Sequence, residues 1–192
     1  MSTTLEPSAP PKRAFDRAVR HHLEGRLHDA EQYYREAIAL HPTFAEACNN
    51  LGSILGERGE TDEALALFDR AVQAAPAYGE AHHNIGLVRS RLGRHQEAHA
   101  AYIAACESDP TRADWANSLG NNCIELCRYQ DALVAFDRAV AVAPQEPEFW
   151  NNRALALRGV GRTVEAIRVA RTRLGARPIQ HQHSPERRRD AA

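Results

Sequence analysis

The sequence predicts an all-α fold: a right-handed superhelical solenoid of five stacked helix-turn-helix repeats, each 34 residues long. Two sets of residues recur at this interval and predict it. Prolines stand 34 residues apart at Pro42, Pro76, Pro110, Pro144 and Pro178. Alanines keep the same spacing at Ala30, Ala64, Ala98, Ala132 and Ala166. A single helix pair cannot bury its own apolar face, so consecutive pairs must stack on one another.

The proline register divides the chain into repeats 11–44, 45–78, 79–112, 113–146 and 147–180. Each residue then has a place from 1 to 34 within its repeat. Residues 1–10 and 181–192 are polar and contain prolines, so we expect disordered terminal segments there.

The second repeat shows how one unit is built. In its first helix, helix A, Cys48, Leu51, Gly52 and Leu55 share one face by their spacing. Gly59 is expected to end this helix, and Thr61 to cap the next one, helix B. Helix B presents a second apolar face and is stopped by Pro76. The small residue at place 8 (Ala18, Gly52, Gly86, Gly120, Ala154) lets the two helices approach closely.

The terminal repeats depart from this pattern. The apolar residues Phe15, Ala18, Val19 and Leu23 sit one place later than their counterparts, which leaves the register of the first helix open. The last helix interleaves arginines with apolar residues, and Ala170 replaces the aromatic residue found at place 24 of the other repeats. We expect a solvated end helix there, because no repeat follows to cover it.

These columns resemble the tetratricopeptide repeat family, whose W-x₂-L-G-x₂-Y, A-x₃-F and P pattern is matched over about 170 residues. The resemblance implies a non-enzymatic scaffold that binds an extended peptide or a partner protein in a concave groove. In this family the A helices form the groove wall, usually through places 2, 5, 6, 9, 12 and 13.

All eight asparagines of the chain lie in A helices, and seven of them fall on these inner places. The candidate peptide-binding residues of this kind are Asn49, Asn50, Asn84, Asn117, Asn121, Asn151 and Asn152, with Ser118 completing the place-6 column. That column resembles the asparagine ladder of O-linked N-acetylglucosamine transferase, where amides hold a peptide backbone. Asparagine is a poor helix former, and its amide both donates and accepts hydrogen bonds. A structural role for these asparagines remains the alternative.

Charged residues at the inner places complete the candidate site. Acidic side chains outnumber basic ones there, with Glu46, Glu80 and Asp114 against Arg91 among the candidates. The cations of the carboxylate clamp found in chaperone adaptors are missing. We therefore expect neutral or basic segments to be preferred as partners. The place-2 acids could equally stabilise the first turns of their helices.

Other potential sites are weaker. His95 and His99 are four residues apart but lack a third ligand, so a surface pair is favoured over a metal site. Cys106, Cys123 and Cys127 are better explained as buried thiols. We find no catalytic, phosphate-loop or dinucleotide motif, and expect no enzymatic activity, cofactor or metal.

The ends and the composition bear on location and partners. The tail Arg187–Arg189 is interpreted as a solvated segment, and nucleic-acid binding is not favoured because acidic residues flank it. The start lacks the pattern of a secretion signal, and no apolar run is long enough to span a membrane, so we expect a cytoplasmic protein.

The alternative function follows from the asparagine column. The chain could serve as an accessory or detached substrate-recruiting arm of a glycosyltransferase system, with the activity residing in a partner. A neighbouring or fused glycosyltransferase gene would favour this alternative, and its absence would favour a general adaptor.

Overall fold

The computed structural model describes residues 9–173, which form ten α-helices and no strand. The helices are α1 (Pro10–Leu23), α2 (Leu27–Leu40), α3 (Ala45–Arg58), α4 (Thr61–Ala74), α5 (Gly79–Arg91), α6 (His95–Ser108), α7 (Ala113–Glu125), α8 (Tyr129–Val142), α9 (Pro147–Gly159) and α10 (Thr163–Arg173). Each helix packs on its neighbours in sequence, α3 also contacts α5, and α7 also contacts α9. This arrangement confirms the predicted all-α repeat solenoid.

The close contact within each central helix pair is made by a glycine and an aromatic ring. A Cβ atom added at Gly52 would lie 2.8 Å from Cε1 of Phe68. The same relation joins Gly86 to Tyr102 at 2.6 Å and Gly120 to Phe136. The rings are almost wholly buried. In these three repeats, glycine at place 8 leaves the space that the ring at place 24 occupies, and each ring packs its helix pair together.

Left-handed residues end the A helices. Gly59 has a φ of 90°, and Gly25, Gly93 and Gly161 take the same region at the equivalent place. In the fourth repeat this place is occupied by Cys127, with a φ of 56°. A residue with a Cβ atom is strained in this region, so the backbone of Cys127 lowers the stability of the fourth repeat, whereas glycine avoids this strain in the other repeats.

The described residues correct two details of the sequence interpretation. Thr61 does not cap α4: it is the first helical residue, Glu60 occupies the cap position, and no side chain caps the helix there. In α1 the buried residues are Ala14 and Ala18, whereas Leu23 is 84% exposed. Phe15 and Val19 are partly buried against the core. The first helix thus keeps place 8 buried, and its last residue is exposed to solvent.

The two ends of the described chain differ from its centre. Helix α1 begins at Pro10, within the predicted disordered segment 1–10. On α10, Val164 is 74% exposed and Ile167 is exposed as well, as expected for an end helix. The rest of the predicted terminal segments, including Arg187–Arg189, lies outside the described residues. No helix in the described part of the chain has the length and apolar character needed to cross a membrane.

Candidate functional site

A ladder of side-chain hydrogen bonds joins the A helices of neighbouring repeats. Nδ2 of Asn84, at place 6, donates to Oδ1 of Asn49, at place 5 of the preceding repeat, over 2.9 Å. Nδ2 of Asn152 donates to Oδ1 of Asn117 over the same distance. Between these two junctions, Nε2 of His83 lies 3.0 Å from Oγ of Ser118. Places 5 and 6 therefore meet at all three junctions from repeat 2 to repeat 5.

The first junction uses a different partner, because place 5 of repeat 1 is Phe15. Nδ2 of Asn50 donates instead to the hydroxyl of Tyr34, 3.2 Å away. Burial raises the pKa of this phenol, and the hydrogen bond from Asn50 opposes the rise. Asn50 also accepts from Nδ2 of Asn49 at 3.3 Å, so the two neighbouring amides hold each other.

Burial separates the ladder into two kinds of residue. The place-5 amides of Asn49 and Asn117 are only 5% and 7% exposed. The place-6 residues Asn84, Ser118 and Asn152 are partly exposed. Because Nδ2 of Asn84 donates both to Asn49 and to Oγ of Ser53, its donor capacity is used inside the chain. Asn84 therefore retains its carbonyl oxygen, an acceptor, whereas Asn152 retains its carbonyl oxygen and a second N–H.

His83 occupies the central rung and is surrounded by rings. Its imidazole stacks on Trp115 with 5.8 Å between ring centroids, and Tyr102 lies 5.7 Å away. Burial lowers the pKa of His83 to about 4, Asp114 opposes this shift, and Arg112 adds to it. The ring is therefore neutral at pH 7. Because Oγ of Ser118 donates its one hydrogen to the backbone oxygen of Asp114 at 3.0 Å, Nε2 of His83 is the donor in the bond to Ser118.

The place-2 carboxylates stand in the first turns of α3, α5, α7 and α9 and are exposed. Arg112 binds Asp114 at 2.7 Å and lies 3.7 Å from Glu80. That pairing lowers the pKa of Asp114. Glu148 accepts a hydrogen bond from Asn117 at 3.1 Å. These carboxylates thus stabilise the first turns of their helices, and together they make this surface negative overall.

A small cavity of about 110 Å³ opens between α3 and α5. Asn84, Leu87 and Arg91 border it on one side, and Ser53 and Glu57 on the other. Residues of the predicted inner places therefore meet around one depression. Gly56 contributes to its size, because this glycine leaves the depression without a side chain there.

The remaining candidates differ in their surroundings. Asn121 and Asn151 are exposed. Asn122, which the sequence interpretation left outside the inner places, is buried, and its Nδ2 donates to the backbone oxygen of His95. The ladder itself, including His83, was missed from the sequence. The paired side chains are always 35 residues apart, but a spacing that all residue columns share does not indicate which side chains meet.

The histidine and cysteine candidates do not assemble a metal site. Nδ1 of His99 lies 3.7 Å from Sγ of Cys123, a weak contact. Within residues 9–173, no three histidine, cysteine or acidic side chains are grouped to hold a metal ion. Cys106 and Cys123 are buried, as expected, but Cys127 is exposed because it occupies the turn after α7.

Comparison with known proteins gives one consistent result. Two family models described as tetratricopeptide repeat match residues 43–111 and 124–178. A crystal structure of MamA superposes with a TM-score of 0.77 at 19% identity, covering 87% of this chain and 91% of that chain. MamA residues 41 to the end from Desulfovibrio magneticus RS-1 give 0.77 at 17% identity, covering 91% and 98% of the two chains.

A third solved structure, YrrB, is described as a TPR protein with an unusual peptide-binding site. It superposes with a TM-score of 0.74 at 17% identity, covering 87% of this chain and 86% of that one. No curated protein sequence gives a significant match. At these identities the structural neighbours establish the fold.

Proposed function

Because the chain belongs to the tetratricopeptide repeat family, we propose that it is a non-enzymatic interaction scaffold that binds an extended peptide or partner segment in the groove lined by its A helices. The ladder is the observation that carries this proposal. It fixes partly exposed polar side chains at one place in each of repeats 3, 4 and 5, with a regular spacing. A regular row of polar groups suits the repeating backbone of an extended chain.

The hydrogen-bond directions favour a partner that donates. Since both N–H groups of Asn84 are engaged within the chain, its carbonyl oxygen is the group that it offers to a ligand, and Asn152 offers a carbonyl oxygen beside its second N–H. The exposed carboxylates of Glu46 and Glu80 are acceptors too. A backbone N–H, an ammonium or a guanidinium group complements such a surface. This supports a preference for neutral or basic segments over acidic ones.

Roles within the site can be divided by burial. Asn49 and Asn117 are buried and act as positioning residues, each holding the amide of the next repeat. Asn121 and Asn151 are exposed and are proposed to contact the partner directly. They offer a clean test, because changing them breaks none of the ladder bonds.

The test uses an array of end-blocked dodecapeptides of varied sequence, followed by affinity measurement with the best binders. Replacing both Asn121 and Asn151 by alanine should weaken binding about 5-fold or more, because two neutral hydrogen bonds of ~0.5 to 1.5 kcal/mol each are lost. The matched control replaces two exposed amides of B helices, Gln73 and Gln130, by alanine, and affinity should stay unchanged.

Two results would overturn the proposal. One is an array on which no peptide binds the wild-type protein above the scrambled background. The other is an equal loss of affinity in the Gln73→Ala/Gln130→Ala control, which would place the binding surface on the B helices.

A further inference from the structure

A second, larger cavity lies at the edge of the repeat stack, between the first turns of α1 and α3 and the loop from α4 to α5. Its volume is about 690 Å³. Its walls are mostly apolar and are formed by Pro11, Phe44, Ala45, Ala75, Pro76 and Tyr78. We call it the loop-edge pocket. A concave apolar site of this size with a few polar groups at its rim is the usual form of a binding pocket.

The pocket is open because small residues stand between its two rings. Phe44 packs on Phe15, with 4.8 Å between ring centroids, and is thereby fixed against the core. Tyr78 is partly buried at the equivalent place of the next repeat. The alanines at 45, 75 and 77 leave the space between these rings unfilled. The space is large enough to admit a bulky apolar side chain together with parts of the residues next to it.

Charge at the rim is predominantly negative. Lys12 lines the pocket, but its ammonium group pairs with Asp16 and lies 5.3 Å from the centroid of the Phe15 ring. The exposed carboxylate of Glu46 also lines it. Burial raises the pKa of Tyr78 to about 12, and Glu80 and Glu46 add to the rise, so their negative potential reaches this wall. A cationic group next to the apolar side chain would be stabilised here.

The negative rim continues along the stack as the place-2 column. One carboxylate stands in each of repeats 2 to 5, at Glu46, Glu80, Asp114 and Glu148, and Arg112 offsets part of the charge. Packed helices lie about 8 to 10 Å apart, and an extended chain advances about 3.3 to 3.6 Å per residue. An extended ligand therefore passes one carboxylate for every two to three residues, and for every third residue at the wider helix spacing.

We propose that the loop-edge pocket anchors a bulky apolar side chain of an extended segment whose basic residues recur at about every third position along the acidic column. This inference rests on the proposed function, because the segment is the ligand of the same groove. To the proposed function, this inference adds three features of the ligand: an apolar anchor side chain, the position of that side chain next to repeat 2, and the spacing of the basic residues.

The test uses two fluorescein-labelled, end-blocked peptides, each with one phenylalanine at an end, arginine at every third position and glycine or serine between. One peptide carries the phenylalanine at its amino end, and the other at its carboxyl end. Fluorescence anisotropy measures their affinity. Ala77→Trp should place an indole ring in the pocket, obstruct the anchor site and weaken the better peptide at least 10-fold. The matched control, Gln145→Trp, changes an exposed residue at the same place two repeats away and should leave affinity unchanged.

Changes in the peptide complete the design. Replacing phenylalanine by alanine should weaken wild-type binding as much as Ala77→Trp does, and should have little further effect on that variant. Replacing arginine by glutamate should abolish binding. If wild type and Ala77→Trp bind the peptide with equal affinity, the pocket does not anchor it. The proposed binding in the groove is tested separately, by the peptide array with the Asn121 and Asn151 variant.

Other occupants of the pocket would also overturn the proposal, and each has its own signature. If a second copy fills it, light scattering shows a dimer that Ala77→Trp dissociates. If the chain's own residues 1–8 fill it, the peptides bind only after those residues are removed. If neither peptide binds the wild-type protein under any of these conditions, the proposed ligand class is wrong.

Discussion

Asn84 donates its side-chain amide to Oδ1 of Asn49 across a distance of 2.9 Å, joining helices α5 and α3 of adjacent repeats. Asn49 is nearly inaccessible to water. A buried carbonyl oxygen that loses its donor also loses solvation, so the bond matters more for stability than an exposed bond of equal length. Asparagine in these helices therefore has a structural reason in addition to the proposed binding role.

Asn84→Ala is expected to lower the free energy of unfolding by about 1 to 2 kcal/mol. The unpaired oxygen of Asn49 costs ~1 to 3 kcal/mol, and the better helix propensity of alanine returns about 0.5 kcal/mol. Urea unfolding followed by circular dichroism measures the change. Asn121→Ala, in the next repeat at an exposed place, serves as the control and should be neutral or slightly stabilising.

The double variant Asn49→Ala/Asn84→Ala separates the bond from the residues. If the two side chains act through each other, the double variant loses less stability than the sum of the single variants. Strict additivity would mean that the 2.9 Å contact contributes nothing measurable.

The sequence predicted the repeat architecture because its signals are local and periodic. Pro76 and Gly59 act on the backbone next to them, and the apolar spacing of Leu51 and Leu55 sets the buried face of one helix. These effects do not depend on distant residues. The family pattern then supplied the stacking, which no single helix pair could indicate.

The candidate site was less accessible to that reasoning. The sequence favoured the groove asparagines as ligands for a peptide and left a structural role as the alternative. The partner of each amide lies about 35 residues or, for Tyr34, 16 residues away. Such pairing depends on how two helices meet, so a column of residue types does not reveal it. The loop-edge pocket was missed for the same reason.

Matched glycine substitutions should move stability in opposite directions. At Gly86 a Cβ atom would lie 2.6 Å from the Tyr102 ring, so Gly86→Ala should destabilise by ~1 to 3 kcal/mol through overpacking. At Gly56 the nearest atoms are 3.7 Å away, an ordinary contact. Gly56→Ala should therefore stabilise by up to about 1 kcal/mol, because alanine is the better helix former.

Paired thermal and urea unfolding of the two glycine variants gives the sign directly. Equal effects at both positions would show that the ring of Tyr102 moves aside without cost, against the close contact seen at place 8.

Cys127→Gly should stabilise the fourth repeat. Cys127 has a φ of 56° in the turn where the other four repeats use glycine. Left-handed backbone costs ~1 to 2 kcal/mol for residues with a Cβ atom, and part of the relief is offset by the larger entropy of glycine in the unfolded chain. We expect the free energy of unfolding to rise by about 0.5 to 1 kcal/mol, measured as a rise in Tm under reducing conditions.

Gly93→Ala is the reverse change at the equivalent turn of the third repeat, and it should lower stability. A rise in stability there would contradict the strain argument.

The central rung of the ladder should make stability depend on pH. The folded-state pKa of His83 is about 4, well below the ~6.5 of an unperturbed histidine in the unfolded chain. Between these values the unfolded chain binds a proton that the folded chain excludes. The contribution of the neutral His83 ring to stability is therefore complete above pH 6.5 and is lost as the pH falls towards 4.

The free energy of unfolding changes with pH by at most about 1.4 kcal/mol per pH unit through this group. His83→Asn installs the residue used at place 5 by Asn49 and Asn117 and removes the titrating ring. Urea unfolding at pH 7.5 and pH 5 should show the wild type losing ~1 to 2 kcal/mol more than this variant, since the other titrating groups are shared and cancel. If both proteins lose the same amount, His83 takes up its proton in the folded state as readily as in the unfolded chain, and the stacked, water-poor environment beside Trp115 does not control its ionisation.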